Sequence, residues 1–485
     1  MTIHAKLKEI RTDIYIDGSW RPAKDGRTLP TFDPATGQEL ARVAVASAAD
    51  VADAVDAARR AVKGAWRRML PAERGRILMK AAGIIRRDST KLSTVESLDS
   101  GKPLRESKGD VETTARYFEY YAGAVDKIQG DSLPLGIDNV GMTVVEPLGV
   151  TAHIIPWNYP LATTARGIAP ALAAGCTAIV KPAEETPLTA LMLAEILEEA
   201  GLPPGVYNVV PGPGEETGAT LVAHPDVAHV TFTGSVETGR IVMKSAADHI
   251  ASVTLELGGK SPLVVLDDAD LDAAVEGALK AIYTNAGQVC AAGSRLVVEQ
   301  GIAEAMMARL RQAAAGIKHG RGLDDAPMGP VASEVQLSRI SGMVESARKR
   351  GVEVLVGGNA VKPEGLEGGW YYAPTILKCD DANDAIVKDE VFGPVLTVQV
   401  ARDADHALEL ANGTDFGLVA AIYTADITKA MRFMRDIEAG QVFINHFFSS
   451  IEVPFGGVKH SGFGRERGLE ALRAYSRVKG VTVRI

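Results

Sequence analysis

The chain has 485 residues, 46 % hydrophobic and 23 % charged, enough for two or three globular domains. Its net charge of −9 gives no support to nucleic-acid or anionic-membrane binding. Three widely spaced cysteines, Cys176, Cys290 and Cys379, with no CxxC pair, argue against a disulfide framework or a zinc site, so no metal is expected.

The N-terminal MTIHAKLKEIRTD is polar, so no secretory signal is expected. No run of about 18 apolar residues follows that would span a bilayer. A cytoplasmic protein is the expectation. Residues 50–64 place Val51, Ala54, Val55, Ala58 and Val62 on one helical face. Helical patterns continue over 73–98, and 104–128 reads as a long polar and aromatic helix. From residue 140 strands and helices alternate. Strand patterns begin with VGMTVVEPLG and VTAHIIPWN, the latter ending at Pro156. A helix over 162–174, a strand over 177–181 and a helix over 187–200 come next. Then follow a strand over 206–210, a Gly-rich turn over 212–218, a strand over 228–233 and a helix over 236–247. Short connections between alternating elements predict a parallel, doubly wound sheet. The rhythm restarts after 253 with VTLELGG, PLVVL, RLVVE, VEVLVGG, APTIL, GPVLTVQV and AAIYT, and predicts a second α/β domain. The tail over 475–485 alternates Val and Ile as a strand that needs a partner, either at home or, the favoured reading, in the sheet of another subunit.

Six short segments carry chemistry. Small residues surround Cys290 in GQVCAAGSR, which suits either a buried structural thiol or an accessible nucleophile for a carbonyl. Glu256 ends a strand between Leu255 and Leu257. A carboxyl among apolar groups has a raised pKa, as a general base for water needs, and a solvated strand end is the alternative. Asn158 lies at a strand's C-terminal end, where its side-chain N–H can hold an oxyanion or merely shape a turn. In FTGSVETG, Gly234 and Ser235 open a helix whose N-terminus can take a pyrophosphate. GPGEETG (Gly212 to Gly218) is a weaker glycine signal. In VKPAEE, Lys181 and Glu184 can grip ribose hydroxyls. A carboxylate there repels a 2′-phosphate and favours NAD over NADP, which stays possible.

Together these segments closely resemble the aldehyde dehydrogenase superfamily. The matching blocks run in family order: PWNYP (156–160), KPAE (181–184), FTGS (232–235), ELGGKSP (256–262), GQVC (287–290), EVFGPV (390–395) and PFGGVKHSGFGRE (454–466). The resemblance extends from YIDGSW (15–20) to VKGVTV (478–483). It implies a Rossmann-like NAD-binding domain from 1–125 and 146–256, and an α/β catalytic domain from 257–456. A small β oligomerisation element would come from 126–145 and 470–485, in a homodimer or homotetramer. It also implies Cys290 as nucleophile, Asn158 as oxyanion donor and Glu256 as the base for hydrolysis of a thioester. NAD would be held by Ile154, Pro156, Trp157, Lys181, Glu184, Gly214, Gly218, Phe232, Gly234, Ser235, Leu257, Glu390 and Phe392. Glu466 would join a proton relay.

The substrate is less legible. Tyr159, Val289, Phe447 and Phe448 would line its pocket, and the aromatic walls favour an aromatic or medium apolar aldehyde. Arg166 stands where succinate-semialdehyde dehydrogenases resemble this chain in carrying Arg for a substrate carboxylate. Their second Arg is Thr284 here, so an acidic semialdehyde remains an alternative, as does an Arg in a surface or subunit salt bridge. A CoA-acylating enzyme is a further alternative, against which Glu256 argues.

Overall fold

The computed structural model describes residues 10–485, so most of the polar N-terminal segment lies outside the described residues. An eight-stranded sheet has the spatial order Ser19–Arg21, Ile14–Ile16, Tyr207–Val209, Thr177–Lys181, Val150–Ile154, His229–Thr233, Ser252–Glu256, Gly462–Phe463. Its five central strands are parallel, and the edges add antiparallel pieces. All residues of Val150–Ile154, Thr177–Lys181 and His229–Thr233 are buried, as continuous apolar strands covered by helices on both faces require. The chain winds one way from Val150–Ile154 to Tyr207–Val209, then returns to add His229–Thr233 on the other side. That reversal leaves a crevice at the C-terminal strand ends, where doubly wound sheets bind ligands.

A second, seven-stranded sheet is ordered Glu353–Val356, Thr375–Lys378, Val395–Ala401, Arg295–Glu299, Pro262–Val265, Val419–Tyr423, Gln441–Ile444. All its pairings are parallel except that of the Glu353–Val356 edge. The chain passes from one sheet to the other between Glu256 and Pro262, through Gly258 and Gly259. The mixed α/β architecture expected from strand–helix alternation is therefore present. Among the described residues no helix is long and apolar enough to cross a membrane.

The terminal strand takes the home partner on one of its edges. Ser476–Arg484 pairs antiparallel with Asn139–Pro147 of its own chain, from Ser476 opposite Pro147 to Arg484 opposite Asn139. The apolar alternation is satisfied at home because the 139–147 strand offers a partner of matching length. The outer edge of Ser476–Arg484 is unpaired along its whole length, while the opposite edge of the sheet carries only the two-residue strand Ser132–Leu133.

Candidate active site

Helix Leu271–Tyr283 ends in a tight turn, Thr284–Gly287, in which Asn285, Ala286 and Gly287 all have φ between 50° and 73°. Gly287 is required there, since a Cβ would lie 2.0 Å from the Gly393 carbonyl oxygen. The turn is pinned by polar contacts. Asn285 Nδ2 donates to the Asn158 carbonyl at 3.0 Å, and Gln288 Oε1 accepts from the Ala332 amide at 2.8 Å. Two residues later Cys290 is half-buried where two cavities meet. Burial pushes its thiol up to about 11, against the opposing charge of Arg166. Cys176 and Cys379 are buried elsewhere.

Asn158 follows the Val150–Ile154 strand and is buried. Its Nδ2 donates to the Gln288 carbonyl at 2.9 Å, which orients the amide toward the cysteine loop and leaves its second N–H for a ligand. Its carbonyl accepts from Lys102 Nζ at 2.9 Å.

Glu256 is the last residue of its strand, in register with Thr233 on one side and Gly462 on the other. It is only 1 % exposed, and neither carboxyl oxygen has a hydrogen-bond partner among the described residues. Burial raises its pKa well above the carboxylate range, and the Glu466 charge raises it further. Arg166 opposes both, and forms a buried ion pair with Glu466. Two carboxyls thus share one close guanidinium. Glu466, in contact with it, ionises first, and Glu256 keeps its proton to higher pH. Arg166 is therefore neither at the surface nor at a subunit boundary. It sits in the fully buried part of helix Pro160–Ala174, and its Nη2 donates to Thr233 Oγ1 at 3.0 Å.

One cavity, of about 650 Å³, runs from Cys290 and Glu256 along the crevice of the first sheet. Pro156, Trp157, Asn158, Gly234, Ser235, Glu390 and Phe392 line it. Ser235 caps helix Val236–Ala247, its hydroxyl accepting from the Thr238 amide at 3.1 Å. Glu390 Oε1 accepts from the Gly259 amide at 2.9 Å, and burial lifts this carboxyl to about 7. The paired glycines permit the approach: a Cβ on Gly258 would lie 2.2 Å from Glu390, and one on Gly259 2.4 Å from the Cys290 carbonyl. Phe392, at φ 57°, meets Trp157 edge-on at 5.2 Å, and Gln336 Nε2 donates to its carbonyl at 2.6 Å. At the next strand end Lys181 Nζ bonds Glu184 at 2.8 Å, and Gly214 and Gly218 lie beside Lys181. Burial acts to raise Glu184, but the Lys181 ammonium outweighs it and holds the carboxyl below its usual range. Ile154, Phe232 and Leu257 are buried in the hydrophobic core and do not themselves line this cavity. An aromatic pair, a helix N-terminus, a carboxylate at each end and close-packed glycines fit an elongated dinucleotide.

The other cavity, of about 530 Å³, also reaches Cys290 and shares Asn158 and Thr233 with the first. Tyr159, Arg166, Val289, Phe447 and Phe448 line it, together with Tyr117, Phe443, Phe455 and Arg467. Lys102 lies 4.1 Å from the Tyr159 ring centroid and bonds Asp110 at 2.6 Å, fixing that wall. Cys290, Glu256, Asn158, Glu390, Phe392 and Ser235, far apart in the chain, thus share one connected space, and Glu466 stands behind Glu256 through Arg166. Sequence reasoning missed Thr233, Gln336, Lys102 and Arg467. Thr233 alone had a local signal, as the strand residue directly before Gly234.

The aldehyde dehydrogenase family model matches residues 20–481. A betaine aldehyde dehydrogenase of Cereibacter sphaeroides is 44 % identical over 476 residues, covering 97 % of this chain and 96 % of the relative. Among solved structures, betaine aldehyde dehydrogenase from Staphylococcus aureus in complex with NAD+ superposes with a TM-score of 0.97 at 38 % identity, covering 99 % of this chain and 96 % of that one. The NAD+ complex of an aldehyde dehydrogenase from Bacillus cereus gives a TM-score of 0.97 at 40 % identity, covering 100 % and 98 %. With Cys290, Glu256 and Asn158 gathered at one point and residues 20–481 matched, the chain belongs to the aldehyde dehydrogenase family.

Proposed function

We propose that the protein oxidises an aldehyde to the carboxylic acid with NAD+, through a covalent adduct on Cys290 that is hydrolysed with Glu256 as base. The observation that carries this reading is Cys290 lining both cavities, with Glu256 on the wall of one of them. An aldehyde entering through the aromatic cavity meets the sulfur. The carbonyl oxygen takes the free N–H of Asn158 as negative charge develops. Bound NAD+ would accept the hydride expelled from the tetrahedral carbon, leaving a thioester. Trp157 and Phe392 would pack the nicotinamide, Glu390 its ribose, Ser235 the phosphates, and Lys181 with Glu184 the adenosine ribose. Glu256 then takes a proton from water as that water attacks the thioester. Arg166 and Glu466 tune this carboxyl, and Glu466 is the next acceptor along a proton path. A base buried beside the sulfur favours water over CoA as the acyl acceptor.

The aromatic walls fit an aromatic or medium apolar aldehyde. Betaine aldehyde is a second reading, favoured by the 44 % identical relative and by rings able to face a quaternary ammonium. We assign residues up to 256, apart from 126–145, to cofactor binding and 257–456 to catalysis. The unpaired edge of Ser476–Arg484 is the surface through which subunits would associate as a homo-oligomer. Three unpaired thiols suit a cytoplasmic enzyme. The test is aldehyde-dependent NADH formation over a panel of aromatic, aliphatic, acidic and cationic aldehydes, with and without CoA. Cys290→Ala should abolish it, and persistence of turnover in that variant would refute the assignment.

A further inference from the structure

Six charged side chains line the aromatic cavity, and five of them are neutralised within the chain. Asp110 is paired with Lys102 at 2.6 Å, Glu112 with Arg86 at 2.8 Å, and Arg116 with Glu452 at 2.8 Å. Arg166 is paired with Glu466. The sixth, Arg467, has no carboxylate within ion-pair distance among the described residues. Its guanidinium is nonetheless held in place. Nη1 donates to Ser449 Oγ at 2.6 Å, and the group lies 4.7 Å from the Phe455 ring centroid. Its Nε is buried with no acceptor among the described residues.

The backbone is also committed to this placement. Arg467 has φ 62° and ψ 173°, a region that residues other than glycine rarely enter and that is retained where surrounding structure enforces it. Enforcement comes from both sides: Glu466 and Phe455 exchange backbone hydrogen bonds, and the Gly468 amide donates to the Ile451 carbonyl at 2.8 Å. Gly468 also accepts from the Tyr121 hydroxyl at 3.0 Å. The resulting turn lets consecutive side chains serve different ends, Glu466 toward Arg166 and Arg467 toward the cavity. Glu466 and Glu256 feel its charge from a distance, but no carboxylate touches it. A positioned guanidinium with no carboxylate in contact, on the wall of a ligand cavity, offers donors to an anion, and its planar fork matches a carboxylate.

We propose that Arg467 anchors a carboxylate at the end of the substrate remote from the aldehyde, so that the preferred substrates are semialdehydes bearing an acid beyond an apolar or aromatic spacer. This rests on the reading that the aromatic cavity receives the aldehyde of a Cys290-dependent dehydrogenase. It replaces Arg166, whose charge Glu466 already balances, as the carboxylate ligand. It also disfavours a cationic aldehyde, which would face a guanidinium that no carboxylate contacts.

The experiment compares kcat/KM for matched pairs of increasing length: butanal with 4-oxobutanoate, hexanal with 6-oxohexanoate, and benzaldehyde with 4-carboxybenzaldehyde, with betaine aldehyde alongside. The acid member of at least one pair should be preferred by about 10-fold or more, and Arg467→Gln should lower that acid-to-neutral ratio by about 10–100-fold, mainly through KM. Arg467→Lys, which keeps the charge but not the fork, should recover part of the ratio. A wild-type enzyme that prefers the neutral member of every pair, or prefers betaine aldehyde, overturns the anchor. So does an Arg467→Gln enzyme whose ratio is unchanged. Turnover of neutral aldehydes without acid preference sinks only the anchor, whereas no NADH from any aldehyde sinks the dehydrogenase reading itself.

Discussion

Replacing Arg166 with methionine tests how the buried charges around the base are balanced. Arg166 is 6 % exposed and Glu466 2 %, so solvent does little to screen their ion pair. Methionine keeps much of the packing volume in helix Pro160–Ala174 but leaves Glu466 without its counter-ion. Breaking a buried pair from one side costs about 3–5 kcal/mol, because the remaining charge is stranded or must take up a proton. Unfolding entropy for a chain of this length is on the order of 1 kcal/mol/K, so the melting temperature should fall by about 3–5 °C. Differential scanning fluorimetry at neutral pH measures this directly. The double variant Arg166→Met/Glu466→Gln removes both charges and should recover most of the loss. Arg166 is also the leading charge that opposes the rise of the Cys290 pKa, so iodoacetamide should alkylate Cys290 more slowly in Arg166→Met at a given pH. A single variant that melts with the wild type, or a double variant no better than the single, would refute this electrostatic account.

Because burial lifts the Cys290 thiol to about 11, its thiolate is favoured only at higher pH. Alkylation of the free enzyme, followed by peptide mapping, should therefore rise about tenfold per pH unit from pH 7 to 9; a plateau already reached at pH 7 would contradict the shift. Glu184→Gln removes the carboxylate that would repel a 2′-phosphate, so the NADP-to-NAD ratio of kcat/KM should rise by about tenfold or more, and an unchanged ratio would remove Glu184 from the ribose site. Deleting 476–485 strips the partner strand from Asn139–Pro147 together with its unpaired edge. Light scattering should show a smaller assembly, and an unchanged mass would place the subunit contact elsewhere.

Much of the fold was legible because periodicity reports burial directly. The all-buried strands at 150–154, 177–181 and 229–233 and the capped helix after Ser235 follow from local pattern. The first strands, Ile14–Ile16 and Ser19–Arg21, are too short to show an alternation, and they form because Tyr15 finds Val209 across the sheet. The terminal strand is legible from its alternation, but its home partner is not, since that pairing register depends on a segment over three hundred residues away. Within the site, the motif blocks brought out Cys290, Glu256 and Asn158. They could not reveal that Arg166 and Glu466 neutralise each other, or that Arg467 turns into the cavity on a left-handed backbone. Those facts depend on side chains meeting across the fold, and no spacing in the sequence encodes them.

The central claim is that a carboxyl at 256 hydrolyses an acyl group carried by the sulfur at 290. Stopped-flow mixing of Glu256→Gln with NAD+ and a turned-over aldehyde tests it most directly. The account predicts a burst approaching one NADH per subunit, then a steady state slowed by about 100–10,000-fold, with the acyl group recovered on the Cys290 peptide by mass spectrometry. Hydride release that fails along with hydrolysis, or a burst with the acyl group on another residue, would contradict it.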